Sequence, residues 1–221
     1  ADIFESYEVT IVSAMILGWA SFGHKGVVFP LLVRAIGVLS SIVGTYLVRT
    51  SLPAPQSGAA RQAGGQARAA MRAIHVGYAV SALVSIVGFC LVGFYYLRFP
   101  GQALPAWVSF GIPGLDMRPV WTTLVGIGLA VGINYLTDYF TAPEKTPVQF
   151  VARSTQTGHA MTIISGIVVG YESSVWAILM IALAIFASCL IYAGTNPTYI
   201  AYGVAMCGIG MLTLTGNNIS M

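Results

Sequence analysis

Charged residues gather in clusters along this chain, and long uncharged runs separate them. A membrane-spanning helix needs roughly 20 apolar residues, and six stretches qualify. They cover Ile3 to Phe22, Val27 to Val48 with Arg34 inside it, and the interval between Arg72 and Arg98. The others are Pro119 to Thr137, Ser173 to Ala193, and Tyr199 onward. The segment Ser154 to Tyr171 is also uncharged but rich in Ser, Thr and Gly. It reads either as a short helix packed on protein or as an extension of the fifth span. Gly23-His24-Lys25-Gly26 and Gly194-Thr195-Asn196-Pro197 read as tight turns.

Two longer connections differ in character. Residues 50–71 mix Ala, Gly, Gln and Pro and read as a flexible cytoplasmic loop. Residues 99–117 hold Pro100, Pro105, Pro113 and Trp107 and suit an extracytoplasmic, interfacial loop. The expected fold is all-α, a polytopic membrane protein with about six spans, and 1–221 forms one integral membrane region.

Composition agrees. The chain is 57% hydrophobic and only 8% charged, with mean hydropathy +0.81, whereas a soluble domain carries roughly 25% charged residues. The net charge of +3 gives no argument for nucleic acid. Cys90, Cys189 and Cys207 sit inside apolar runs and read as small buried hydrophobes. The chain starts at Ala1 rather than Met, so an internal piece of a longer protein is expected. Arg49, Arg61, Arg68, Arg72, Lys145 and Arg153 collect on one side, against Lys25, Arg98 and Arg118 on the other. The richer side is expected to be cytoplasmic.

Candidate chemistry concentrates at the amino end. Asp2, Glu5 and Glu8 stand at the mouth of an otherwise uncharged run. On a helix Asp2 and Glu5 lie about 60° apart, and Asp2 and Glu8 about 120°. An ionisable group at membrane depth is costly and marks an ion path or proton relay by default. The other reading is a solvated helix start, where acids favour the positive end of the dipole. Asn134 and Asp138 share a helix face, and Asp138 also reads as an interfacial acid. Lys145 and Arg153 could attract an anion or simply mark a positive-inside loop. Arg34 either snorkels or pairs with a neighbouring helix. Gly208-Ile-Gly210 and the segment from Gly166 to Gly170 read as small-residue packing surfaces. His24, His75 and His159 are isolated, and no hydrolase or metal motif occurs. These residues fit a transporter, a channel or an ion-coupled enzyme.

Four segments, in order, resemble the membrane-embedded ion-pumping inorganic pyrophosphatases. They are Ala1-Asp-Ile-Phe-Glu-Ser-Tyr7, Asp138-Tyr-Phe-Thr-Ala-Pro143, Arg153 through Ala160 with Gly166 through Ser173, and Tyr202 through Met211. The resemblance implies a bundle of sixteen helices in two concentric rings, working as a homodimer. This chain would supply helices six to eleven. It implies hydrolysis of magnesium pyrophosphate at the cytoplasmic face, coupled to outward H+ or Na+ transport. Mg2+ would be held mainly by residues outside this chain, with K+ or Na+ as further cofactors. By the same resemblance Asp2 and Glu5 are ion-gate residues, Ser6 is a neighbour, and Glu8 is additional. No catalytic residue and no metal ligand is expected within the chain. A multi-pass protein of the bacterial inner membrane follows, with pyrophosphate, H+ or Na+ and the lipid bilayer as partners. The alternative is a secondary cation transporter or channel with the same acidic path and no hydrolysis.

Overall fold

The computed structural model describes residues 2–47, 59–99 and 106–214, with side chains over 5–46, 75–99 and 108–214. Eight helices follow in order. These are α1 (Asp2–Phe22), α2 (His24–Leu47), α3 (Ala59–Tyr96), α4 (Ala106–Ser109), α5 (Arg118–Thr141), α6 (Thr146–Ser154), α7 (His159–Ile191) and α8 (Pro197–Thr213). A 3-10 turn, Thr155–Thr157, separates α6 from α7. Among the described residues there is no strand, only an isolated bridge between Arg98 and Leu115. Each of the six expected spans is helical over most of its described residues. Four stretches are long and apolar enough to cross a membrane: His24–Tyr46, His75–Tyr96, one within Arg118–Thr157, and His159–Ile191. Glu5 and Glu8 lower the hydropathy of α1, and α8 has 17 described residues.

Prolines set several helix starts. Pro119, Pro147 and Pro197 lie in the first turns of α5, α6 and α8, where a missing N–H costs nothing. Pro30 is different, because it lies inside α2. It cannot bond the carbonyl four residues back, at Gly26. The Tyr202 hydroxyl of α8 donates to that carbonyl at 3.4 Å.

Backbones approach closely where glycines meet. Gly23, at φ +61°, turns the chain between α1 and α2, and Gly18 and Gly26 then pack backbone to backbone. A Cβ at Gly126 would meet the Cys207 carbonyl, and one at Gly210 the Thr123 carbonyl, so α5 and α8 are equally close. The expected packing role of Gly208-Ile-Gly210 is met. At Gly166 and Gly170 no described atom lies within 4 Å of the Cβ position. A polar ladder joins α2 to α3: Ser85 donates to Ser40 Oγ at 2.6 Å, and Ser81 to the Ser40 carbonyl at 3.0 Å. The result centres on α8, which packs against α1, α2, α5 and α7. Tyr202, Met206 and Ile209 of α8 belong to the main core with Ala14, Phe29, Val33 and Ile127.

One connection departs from expectation and another is decided between its two readings. Within the stretch 50–71, the backbone from Ala59 onward is the start of α3, and 48–58 fall outside the described residues. The segment Ser154 to Tyr171 resolves into the end of α6, the 3-10 turn and the first turns of one continuous 33-residue α7. In the stretch 99–117 the chain folds back on α3: Asp116 N donates to Leu97 O at 3.0 Å, and Met117 N to Val108 O at 3.3 Å.

Candidate functional site

α1 divides into two faces. Tyr7, Ala14 and Gly18 are buried against α2 and α8. Glu5, Glu8, Val9, Val12, Ile16 and Trp19 are all exposed. On a helix of 3.6 residues per turn these six fall within about 100° of one another. Glu5 and Glu8 thus head a single outward stripe whose remaining members are apolar. Val12 is 53% exposed and Trp19 65%, so no described helix covers it. Ser6 is exposed beside this face, and its carbonyl accepts the Thr10 hydroxyl at 2.7 Å. Asp2 lies in the first turn of α1, and its side chain is outside the described residues.

Behind the acids, three helices meet at one carbonyl. The Tyr7 hydroxyl donates to Leu212 O at 2.9 Å. Arg34 donates from Nη1 to the same oxygen at 3.3 Å, with its guanidinium 3.7 Å from the Tyr7 ring centroid. Leu212 is in the last turn of the described part of α8, where carbonyls lack helical partners and cations are favoured. Of the two readings for Arg34, pairing with neighbouring helices is the one adopted.

Other candidates disperse. Asp138 is half-buried near the carboxyl end of α5, and its carbonyl accepts Ala142 N at 2.9 Å. Asn134 hydrogen-bonds Tyr78 of α3. Lys145 and Arg153 are exposed around α6. Among the described residues, no three His, Cys, Asp or Glu side chains gather as a metal site.

Sequence reasoning missed a buried ion pair at the opposite end. Asp116, fully buried, accepts from Arg118 Nη2 at 2.6 Å and from Arg118 Nε at 2.9 Å. The Arg118 guanidinium stands 5.3 Å from the Tyr192 ring and 6.0 Å from that of Tyr199. The Tyr192 hydroxyl is buried without a hydrogen-bond partner among the described residues. Burial pushes this phenol well above its ordinary value, and the Asp116 charge adds to the rise. The available signal was an acid two residues before an arginine, directly before the helix-starting Pro119.

Long apolar helices around a central α8, with isolated acids at one helix end, define a polytopic helical membrane protein. The whole chain, residues 1–221, matches the family described as inorganic H+ pyrophosphatase, and it belongs to that family. It is 40% identical to a K(+)-insensitive pyrophosphate-energized proton pump of Chloroflexus aurantiacus, over 100% of this chain and 28% of that protein. A protein of the same name from Streptomyces coelicolor is 37% identical over 100% of this chain and 27% of its own length. A Clostridium tetani protein is 28% identical over 100% of this chain and 28% of its own. Its provisional name is K(+)-stimulated pyrophosphate-energized sodium pump. The chain thus spans little more than a quarter of the length of these relatives.

Proposed function

We propose that this chain is the coupling region of a pyrophosphate-driven primary cation pump, corresponding to helices six to eleven. Water cleaves pyrophosphate into two phosphates at the cytoplasmic face, and the free energy moves H+ or Na+ outward. The observation that carries this reading is the family match over residues 1–221. H+ is favoured, because the relatives at 37% and 40% identity are named as proton pumps.

Asp2, Glu5, Ser6 and Glu8 form the gate in this reading. Glu5 and Glu8 head the outward stripe of α1, so helices elsewhere in the protein would enclose them and supply their cationic partners. A carboxylate there takes the cation from the cytoplasmic side and hands it along α1. The Ser6 hydroxyl offers a donor and an acceptor beside it. The second copy of a homodimer would find a face on α7, whose side chains are exposed almost all round. Magnesium is assigned to residues elsewhere in the protein. The described residues do not fit it: they gather no metal-ligand cluster, and the buried Asp116 is committed to Arg118.

The test is pyrophosphate hydrolysis by the full-length protein in vesicles with an internal pH dye, at varied Na+ and K+. Pyrophosphate-dependent acidification of the lumen is expected. Glu5→Gln or Asp2→Asn should lower transport about a hundredfold or more while the protein stays in the membrane. Full coupled pumping by both variants removes the gate assignment. Cation flux without any hydrolysis replaces the pump with a secondary transporter.

A further inference from the structure

The end of the bundle opposite Glu5 carries two cations that no described carboxylate neutralises. The Lys25 ammonium donates to the backbone oxygen of Arg98 and stands 5.1 Å from the Phe99 ring centroid. Arg98 donates through Nε to the Phe94 carbonyl at 3.3 Å, with its guanidinium 5.4 Å from the Phe94 ring. Its two terminal nitrogens have no partner among the described residues. Asp116 sits at this end too, but it is buried and bound to Arg118.

Towards the membrane from Arg98, α3 presents an exposed ridge of Leu91 and Tyr95. An apolar cavity flanks it on each side. One, of about 330 Å³, is lined by Cys90, Leu91, Phe94, Phe110, Trp121 and Leu124, between α3 and α5. The other, of about 280 Å³, is lined by Leu32, Leu91, Val92, Tyr95 and Tyr96, between α2 and α3. Leu91 is a wall of both. Leu91, Phe94 and Tyr95 share one helix face, and Arg98 folds back over Phe94 just beyond the span His75–Tyr96. That is headgroup height, where Trp and basic side chains concentrate.

We propose that this is a binding site for one anionic phospholipid with two acyl chains. Its phosphate meets Arg98 and Lys25, its glycerol lies over Tyr95, and one chain enters each cavity. Charge selects the occupant. Basic groups between membrane helices attract anionic headgroups, and no described acid is free here to pair with a choline. The walls are almost wholly apolar, so an extended peptide segment would leave its N–H and C=O groups unsatisfied. Two cavities sharing one wall match two chains leaving one glycerol. The site depends on membrane embedding alone, not on pumping.

Native mass spectrometry of the full-length protein tests it. The probes are dioleoylphosphatidylglycerol, dioleoylphosphatidylcholine, single-chain oleoyl-lysophosphatidylglycerol and inorganic phosphate. Dioleoylphosphatidylglycerol should bind more tightly than the other three. Arg98→Gln should weaken it about fivefold and leave phosphatidylcholine unchanged. Leu91→Trp, which crowds both cavities, should weaken both diacyl lipids, with Arg98→Gln melting like the parent as a folding control. Equal phosphatidylglycerol binding by Arg98→Gln overturns the headgroup assignment. Equal binding of the lysolipid overturns the two-cavity assignment. Displacement of the lipid by millimolar phosphate overturns the lipid in favour of a plain anion site.

Discussion

The Leu212 carbonyl accepts from a phenol on α1 and a guanidinium on α2, so one backbone oxygen ties three helices together. Removing the arginine takes away both a hydrogen bond and the stacked cation. Arg34→Ala should therefore lower stability by about 2 kcal/mol, read as a lower melting temperature of the full-length protein in detergent. Arg34→Lys should recover only part, since an ammonium lacks the planar face that lies on Tyr7. The sequence placed Arg34 inside a span but could not choose its partner, because partners on α1 and α8 are 27 and 178 positions away. Tyr192 was illegible for a related reason: its burial depends on Gly203, across the turn into α8, and on Arg118, far back in the chain. Among the described residues its hydroxyl has no acceptor, and an unsatisfied buried hydroxyl costs about 1–3 kcal/mol. Tyr192→Phe should raise the melting temperature at neutral pH. The raised phenol value means that the fold keeps its proton while the unfolded chain loses it. Below about pH 10 both states keep the proton, and as pH climbs further the parent's stability falls. Melting curves between neutral and strongly alkaline pH should fall less steeply for Tyr192→Phe than for the parent.

At the level of elements, uncharged runs made the spans legible, since in lipid only a helix satisfies every backbone group within one segment. One boundary was not legible, and another was left between two readings. The stretch after Ala59 looked loop-like because of Gly64, Gly65 and two glutamines, yet Ala, Gln and Arg are good helix formers, and α3 runs through it. The Ser, Thr and Gly of 159–171 left a short helix and an extension of the fifth span both open, and α7 continues through them as the extension. Nothing in the described structure competes there for its backbone. The α1–α2 hairpin rests on Gly18 facing Gly26. Gly18→Val would drive a side chain into the Gly26 backbone and force the helices apart. A loss of about 1–3 kcal/mol is expected, measured as earlier melting, with Gly23→Ala as a comparison for turn strain alone.

For the molecule as a whole, the acidic face was half legible. Helical spacing foresaw that Glu5 and Glu8 lie together, but not that they would point away from α2 and α8. That direction is a tertiary fact, fixed by Tyr7 and Ala14 filling the opposite face of α1.

The length of α7 has a consequence for how the protein sits in its lipid. A helix of 33 residues measures about 50 Å, against a hydrocarbon slab of about 30 Å. Even leaning at about 40°, near the steep limit for such helices, it overshoots by about two turns. Leaning alone cannot absorb the excess. The surplus falls most naturally on the Ser- and Thr-bearing end from His159, which should stand clear of the lipid tails as a helical post within reach of water-soluble reagents.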